Sequence, residues 1–289
     1  MNDRLVLAAL VGAMCVALVV VVVWAYRPTS GYRRAVRWAE RTGLPFEPSS
    51  LRRSIVARFR LTEIAEGWAG IATGAVSLAF LATPVGASPL YVLIVVLPTF
   101  LVSRLIATCV VSLRERLFHP APDAPRVARI RTMRTSDYLG PVRRAVTWIL
   151  AAAAGGFVVA LVVVGSSGVR NTAAWISAAA ALTCALSACA VLPLLERAVL
   201  RTPQPASDTV ELAWDDALRA DALVNIRLSV AVACVLGIAL AVSALWDVGA
   251  DKFLPSQIVI WGQLALQIAF PPNGLALRPA LRPQAAVTA

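Results

Sequence analysis

Long apolar runs constrain the fold of this chain more than any other feature of its sequence. The first run, residues 5–26, reads LVLAALVGAMCVALVVVVVWAY and would form a helix about 33 Å long. A transmembrane helix needs about 20 mainly apolar residues to cross a hydrocarbon core about 30 Å thick. The sequence therefore predicts an all-α membrane protein, a single polytopic domain over 1–289 with about seven transmembrane helices at 5–26, 64–83, 90–111, 145–164, 173–195, 228–246 and 254–270.

The composition excludes the main soluble classes. Hydrophobic residues make up 59% of the chain, charged residues make up 15%, and the mean hydropathy is +0.74. Soluble domains carry about 25% charged residues. The net charge of +11 would fit a nucleic-acid-binding protein, but the arginines are concentrated in the gaps between the apolar runs. We therefore expect no nucleic-acid partner.

The distribution of basic residues predicts the orientation, because cytoplasmic loops hold most of the Lys and Arg of a membrane protein. With the N-terminus outside and the C-terminus inside, the inner segments hold 23 basic residues and the outer segments hold 3. The chain would then be an N-terminal anchor followed by three helical hairpins in the cytoplasmic membrane. Its cytoplasmic loops would be 27–63, 112–144 and 196–227, where we expect the arginines to contact anionic lipid.

Two parts of this topology have alternatives. The first run could be a cleaved signal peptide, although its length and the arginines that follow it favour an uncleaved anchor. The seventh run is the shortest and contains three glutamines. Loss of this span alone would move the C-terminus outside and leave the rest of the topology intact.

The inner loops contain amphipathic patterns. Apolar residues recur at helical spacing in 32–41 and 51–61, which predicts two helices, either at the headgroup boundary or in a solvated basic linker. The third loop is acidic and reads SDTVELAWDDALRAD over 207–221, with apolar residues one helical turn apart. It is a solvated helix, a partner of the basic segment 126–144, or a docking site for another protein.

The motifs of catalysis are absent from the sequence. It has no glycine-rich phosphate-binding loop, no aspartate lies inside a predicted span, and the one histidine, His119, falls in a predicted inner loop. All five cysteines lie within apolar runs, without the paired spacings of zinc sites. We therefore expect no enzyme activity, no catalytic residue, no metal and no cofactor.

Four polar residues in the spans form the candidate site: Glu66, Arg104, Gln263 and Gln267. Arg104 would lie about 10 Å from the inner end of its span, where ionisable side chains are costly and often functional. Glu66 is near the inner end of the preceding span, so we predict that it pairs with Arg104; snorkelling of Arg104 is the alternative. Gln263 and Gln267 are one turn apart and would either join helices by hydrogen bonds or line a substrate path.

Three features of the sequence resemble those of a known group of membrane proteins. They are the arginine-only loops, the segment RVARIRTMRTSDYLGPVRRA over 126–145 and the acidic segment over 207–221. With these features the whole chain resembles uncharacterised multi-pass integral membrane proteins of actinobacteria. The resemblance implies a location in the cell membrane and brings no activity, cofactor or site residue.

Two functions remain open. The chain could be a non-enzymatic scaffold or accessory subunit that binds a membrane or cytoplasmic protein through its inner loops. Alternatively, it could be a permease or transporter component with a polar path near Arg104. A water-filled cavity that reaches Arg104 would favour transport, and a closed bundle would favour the scaffold.

Overall fold

The computed structural model of the protein describes residues 3–27, 29–46, 49–81, 99–112 with gaps, 133–166, 168, 172–201, 209–246 and 253–270. Over these residues the regular structure is helical, without strands. Several sequence predictions fall outside the described residues: the connection after the second span, the first half of the third span, His119, the basic residues of 113–132 and the chain after 270.

The described helices follow one another along the chain. They are α1 (Asp3–Ala25), α2 (Tyr32–Thr42), α3 (Ser49–Leu81), α4 (the helical residues within 99–112), α5 (Thr135–Tyr138), α6 (Pro141–Gly165), α7 (Thr172–Arg201), α8 (Thr209–Leu245) and α9 (Phe253–Ala269). The predicted fold class, an all-helical membrane protein, agrees with this order of elements.

Among the described residues, three helices are long and apolar enough to cross a membrane, namely α6, α7 and α8. The outer faces of α6 and α7 carry exposed apolar side chains, among them Ile149 and Val162 on α6 and Ile176 on α7. Such a continuous apolar surface is unfavourable in water and is the surface that lipid covers. The chain is therefore a helical membrane protein, and the number of seven spans with its orientation stays a prediction.

Helix α8 forms the centre of the bundle. It packs against α5, α6, α7 and α9, and its buried side chains continue from Ala213 to Ala244. Its 37 residues correspond to about 55 Å, nearly twice the thickness of a hydrocarbon core. One part of α8 must therefore project beyond the membrane.

Helix α1 packs on a row of glycines in α3. A Cβ added at Gly67 would collide with Val22, and one added at Gly74 would collide with Cys15. Glycine at these positions lets the two helix backbones approach each other, which drives association where lipid supplies no hydrophobic force.

Two predicted loop helices are extensions of spans. The structure continues the predicted helix at 51–61 into the second span as α3, and the acidic helix at 207–221 into the sixth span as α8. Neither stretch contains a proline that would end a helix between the loop and the span. The predicted boundaries at 64 and 228 are therefore not ends of helices.

Helix α2 agrees with the predicted helix at 32–41 and ends where expected. Gly43 adopts a left-handed conformation, with φ of 69°, and its N–H donates to the Ala39 carbonyl oxygen. Its buried face contains Ala35, Trp38 and Ala39, whereas Tyr32, which the sequence pattern placed on the apolar face, is exposed. Helix α2 packs against protein and is not a solvated linker.

Candidate functional site

The candidate site lies where α1, α3 and α4 meet. Glu63 and Glu66 are three residues apart on α3, so both side chains lie on one face of that helix. Thr73 donates a hydrogen bond to the Ser103 hydroxyl at 2.8 Å, which fixes α4 beside α3. Helix α1 packs closely on the glycines of α3 and forms the third side of the site.

Glu66 binds two arginines. Its carboxylate accepts two hydrogen bonds from the Arg34 guanidinium, at 3.0 and 3.1 Å, and lies 3.2 Å from Nε of Arg104. The Glu66 side chain is 13% exposed, Arg34 is 31% exposed and Arg104 is 47% exposed. The predicted Glu66–Arg104 ion pair is therefore present, and Arg34 joins it from α2.

The electrostatics of this cluster keep Arg34 charged. Burial by itself lowers the pKa of Arg34, but the hydrogen bonds and charge of Glu66, together with the charges of Asp221 and Glu63, raise it above its ordinary value. The two-point contact of a guanidinium with a carboxylate also fixes the relative orientation of α2 and α3.

An open cavity of about 220 Å³ lies beside Glu66 and Arg104. Its polar end is formed by Ser30, Glu63, Glu66 and Arg104, and the Ser30 hydroxyl donates to Glu63 at 2.5 Å. Its remaining walls are apolar and come from Leu18, Val21, Trp24, Ala25, Gly67 and Phe100. The cavity thus has one charged end and one apolar end.

Exposed aromatic residues surround this position. Trp24 and Tyr26 at the end of α1 and Trp68 on α3 are each more than half exposed, and the Trp68 indole N–H donates to the Tyr26 hydroxyl at 3.4 Å. The Arg27 guanidinium lies 5.7 Å from the centre of the Trp24 ring. Tryptophan and tyrosine are enriched at the boundary between the hydrocarbon core and water. Trp24, Tyr26 and Trp68 therefore form an exposed aromatic belt near Glu66.

A second group of charged residues joins α6, α7 and α8. Arg227 Nε lies 2.5 Å from Glu196 Oε1, and a terminal nitrogen of Arg227 donates to the Arg144 carbonyl oxygen at 3.2 Å. Arg219 pairs with Asp215 at 2.8 Å and donates to main-chain carbonyls at the end of α7. A cation at this position also stabilises the helix dipole.

The acidic third segment contacts both of the other segments predicted as inner loops. Trp214 of α8 stacks on Trp38 of α2, with ring centres 5.0 Å apart, and its indole N–H donates to the Pro45 carbonyl oxygen at 2.9 Å. The Tyr138 hydroxyl of α5 donates to the buried Asp216 carboxylate at 2.9 Å. We call the assembly of α2, α5 and the first part of α8, residues 209–227, the inner layer.

The contacts of the inner layer bear on two predictions for the acidic segment 207–221. A solvated helix is one of the three predictions for the acidic segment, but Trp214 and Asp216 are fully buried. Its predicted contact with the basic second loop is present at Tyr138 and Asp216, through a hydroxyl group. Trp214 is buried because it lies on the hydrophobic face of α8, which contacts α2.

Gln263 and Gln267 do not join the site. Both lie on α9, which packs against α8 and α6, and neither lines the cavity. The Gln267 side chain is exposed, and Nε2 of Gln263 is buried without a hydrogen-bond partner among the described residues. Among the described residues the Gln263 amide nitrogen therefore joins no other helix by a hydrogen bond, and α9 turns Val259 and Leu266 toward its neighbours.

The sequence did not identify three residues of these clusters. In the sequence, Arg34 is one of several loop arginines, Glu196 is the first residue of the predicted loop 196–227, and Trp214 is one of the apolar residues spaced a helical turn apart in 207–221. A glutamate at the end of one apolar run with an arginine before the next was the signal that could have located the Glu196–Arg227 pair. For Arg34, no local pattern distinguishes it from its neighbours.

Within the described ranges, no group of three or more His, Cys, Asp or Glu side chains is arranged to hold a metal ion. Comparisons with protein-family models, curated proteins and solved structures gave no match.

Proposed function

We propose that this chain is a non-enzymatic scaffold or accessory subunit of the cytoplasmic membrane, which binds its partner through the inner layer. The observation that carries the proposal is the packing of Trp214 on Trp38, which joins the first and third inner loops on the bundle. A fixed surface outside the bilayer is what a docking subunit requires, because it binds without a large ordering cost.

The proposed topology has seven spans, with the N-terminus outside and the C-terminus inside. Two observations support it: the excess of basic residues in the proposed inner segments, and the contacts among α2, α5 and α8 at one end of the bundle. Reporter fusions after Arg60, Arg144 and Arg201 should all report the cytoplasm. An external signal at any of the three would overturn the topology, whereas an external C-terminus alone would remove only α9 as a span.

The proposed contact surface is the exposed basic face of α2, which belongs to the inner layer, together with the adjoining first part of α3. Arg33, Arg37 and Arg41 lie on the exposed side of α2, and Arg52 and Arg53 lie on the exposed side of α3. This surface would attract anionic lipid or an acidic partner. Its arginines do not take part in the Glu66 cluster, so they can be changed without loss of that cluster.

Affinity purification in a mild detergent with quantitative mass spectrometry tests the proposal. The variant Arg37→Gln with Arg41→Gln should lose the proteins that the unchanged chain retains. Arg170→Gln with Lys252→Gln removes two charges from the proposed outer side and should retain them. If both variants retain the same proteins as the unchanged chain, the inner layer is not the docking surface.

The cavity beside Arg104 favours a second function, that of a permease or transporter component. Its polar end contains Glu63, Glu66 and Arg104. In a transporter, this cavity would reach water from both sides of the membrane at different times. Cysteine placed at Val21 in a cysteine-free chain should then react with charged reagents added to either side. Reaction from the inner side alone favours the scaffold.

A further inference from the structure

We propose that the cavity between α1, α3 and α4 binds the headgroup of a phosphatidylethanolamine-type lipid, with the phosphate at Arg104 and the ammonium at Glu63. The proposal assigns a ligand class to a cavity that the scaffold function does not need. It stands on the chemistry and the position of the cavity walls, described above.

In this proposal the mouth of the cavity faces the bilayer. Val21 and Trp24 line the cavity and are each more than half exposed on the apolar surface of α1. The aromatic belt formed by Trp24, Tyr26 and Trp68 lies beside it, at the level where lipid headgroups meet the hydrocarbon core. A lipid can therefore place its headgroup at the charged end while its chains lie along α1.

The size of the cavity fits a headgroup and excludes a whole lipid. A volume of about 220 Å³ lies below the roughly 300–1,000 Å³ of pockets that enclose a drug-sized ligand. That is room for a phosphate and a short amine, with the acyl chains outside against the exposed valines of α1.

The charges of the walls favour a zwitterion. Arg34 is not among the lining residues of the cavity and shares the Glu66 carboxylate with Arg104. The lining therefore presents one guanidinium, on the half-exposed Arg104, and a second carboxylate, Glu63, which accepts a hydrogen bond from the small Ser30 hydroxyl. An anionic headgroup would meet the unfavourable charge of Glu63, and a purely cationic one would meet Arg104. A phosphate joined to a primary ammonium satisfies both.

Lipid retention measured by native mass spectrometry on the full-length protein tests this assignment. The protein in mild detergent is titrated with short-chain phosphatidylethanolamine, phosphatidylcholine and phosphatidylglycerol in turn. We expect phosphatidylethanolamine to bind about tenfold more tightly than either of the others, since a trimethylated amine cannot donate a hydrogen bond and glycerol carries no charge.

Three variants decide the result. Glu63→Gln should reduce the affinity for phosphatidylethanolamine to that for phosphatidylcholine, while Glu40→Gln, which removes an exposed carboxylate from α2, should leave it unchanged. Val21→Trp should fill the mouth of the cavity and weaken binding of all three lipids there. Because Val21 lies on the exposed surface of α1, this variant tests the site even if Glu63→Gln does not fold.

Equal affinity for the three lipids in the unchanged protein would overturn the proposal, as would the same affinity in Glu63→Gln and Glu40→Gln. A preference for phosphatidylglycerol would also overturn it, and would assign the cavity to an anionic headgroup held by Arg104 alone. None of these outcomes bears on the docking surface, since Arg37 and Arg41 lie outside the cavity lining.

Discussion

Arg227 of α8 and Glu196 of α7 form an ion pair in which the side chains are only 4% and 11% exposed. The pair lies where the two helices leave the most apolar part of the bundle, and Arg227 also donates to a main-chain carbonyl at the start of α6. One arginine therefore connects three helices that local sequence patterns predict separately.

Loss of one partner of this pair should be more harmful than loss of both. Glu196→Gln or Arg227→Gln alone leaves a buried charge without its counter-ion, which costs about 3–5 kcal/mol of unfolding free energy. The double variant should recover a large part of that loss. Thermal unfolding in detergent measures the effect, with the exposed Arg197→Gln as the control. Strictly additive losses would show that the pair does not stabilise the fold.

Glu66 should be more important for stability than Arg104. Glu66→Gln leaves Arg34 and Arg104 facing each other, whereas Arg104→Gln leaves the Arg34–Glu66 contact in place. Because Arg104 is half exposed, its own contribution should be about 0–1 kcal/mol. Adding Arg104→Gln to Glu66→Gln should restore part of the lost stability. A double-mutant cycle read by thermal unfolding measures this coupling, and a coupling of zero would contradict it.

The glycines of α3 should not tolerate a methyl group. Gly67→Ala would bring a Cβ into collision with Val22, and overpacking of this kind costs about 1–3 kcal/mol. Gly155→Ala on α6 is the matched control, since a Cβ there meets no atom within 4 Å. Alanine is favoured over glycine inside a helix by about 0.5–1 kcal/mol, so the control should be neutral or stabilising. Equal melting temperatures for the two variants would argue against close α1–α3 packing.

Trp214 should hold the inner layer together. Trp214→Ala removes a fully buried ring and its stack on Trp38, at a cost of about 3–5 kcal/mol. We expect faster proteolysis between residues 27 and 63 in this variant, while α6 and α7 stay protected. Trp214→Phe keeps an aromatic ring but loses the hydrogen bond to Pro45, so its effect should be smaller. The exposed Trp261→Ala on α9 is the control. Unchanged cleavage in Trp214→Ala would show that α2 does not depend on this contact.

The sequence determined the helical membrane fold, the approximate positions of most helices and one contact of the site. Helix α6 and the predicted span at 145–164 agree within a few residues, and so do α2 and its predicted range. The Glu66–Arg104 pair was predictable because both residues lie near one end of successive spans. These features follow from local properties, the hydrophobic length of a segment and the depth of a residue along it.

Only the tertiary structure decided which side chains meet. Arg34 rather than another loop arginine binds Glu66, Trp214 stacks on Trp38, and Glu196 pairs with Arg227. Gln263 and Gln267 lie apart from the cavity because α9 packs against α8 and α6. A hydrophobic run specifies a helix but not its rotation about its own axis or the identity of its neighbour. Both are fixed by the close packing of whole helices, such as α1 on the glycines of α3, and that packing depends on residues far apart in the chain.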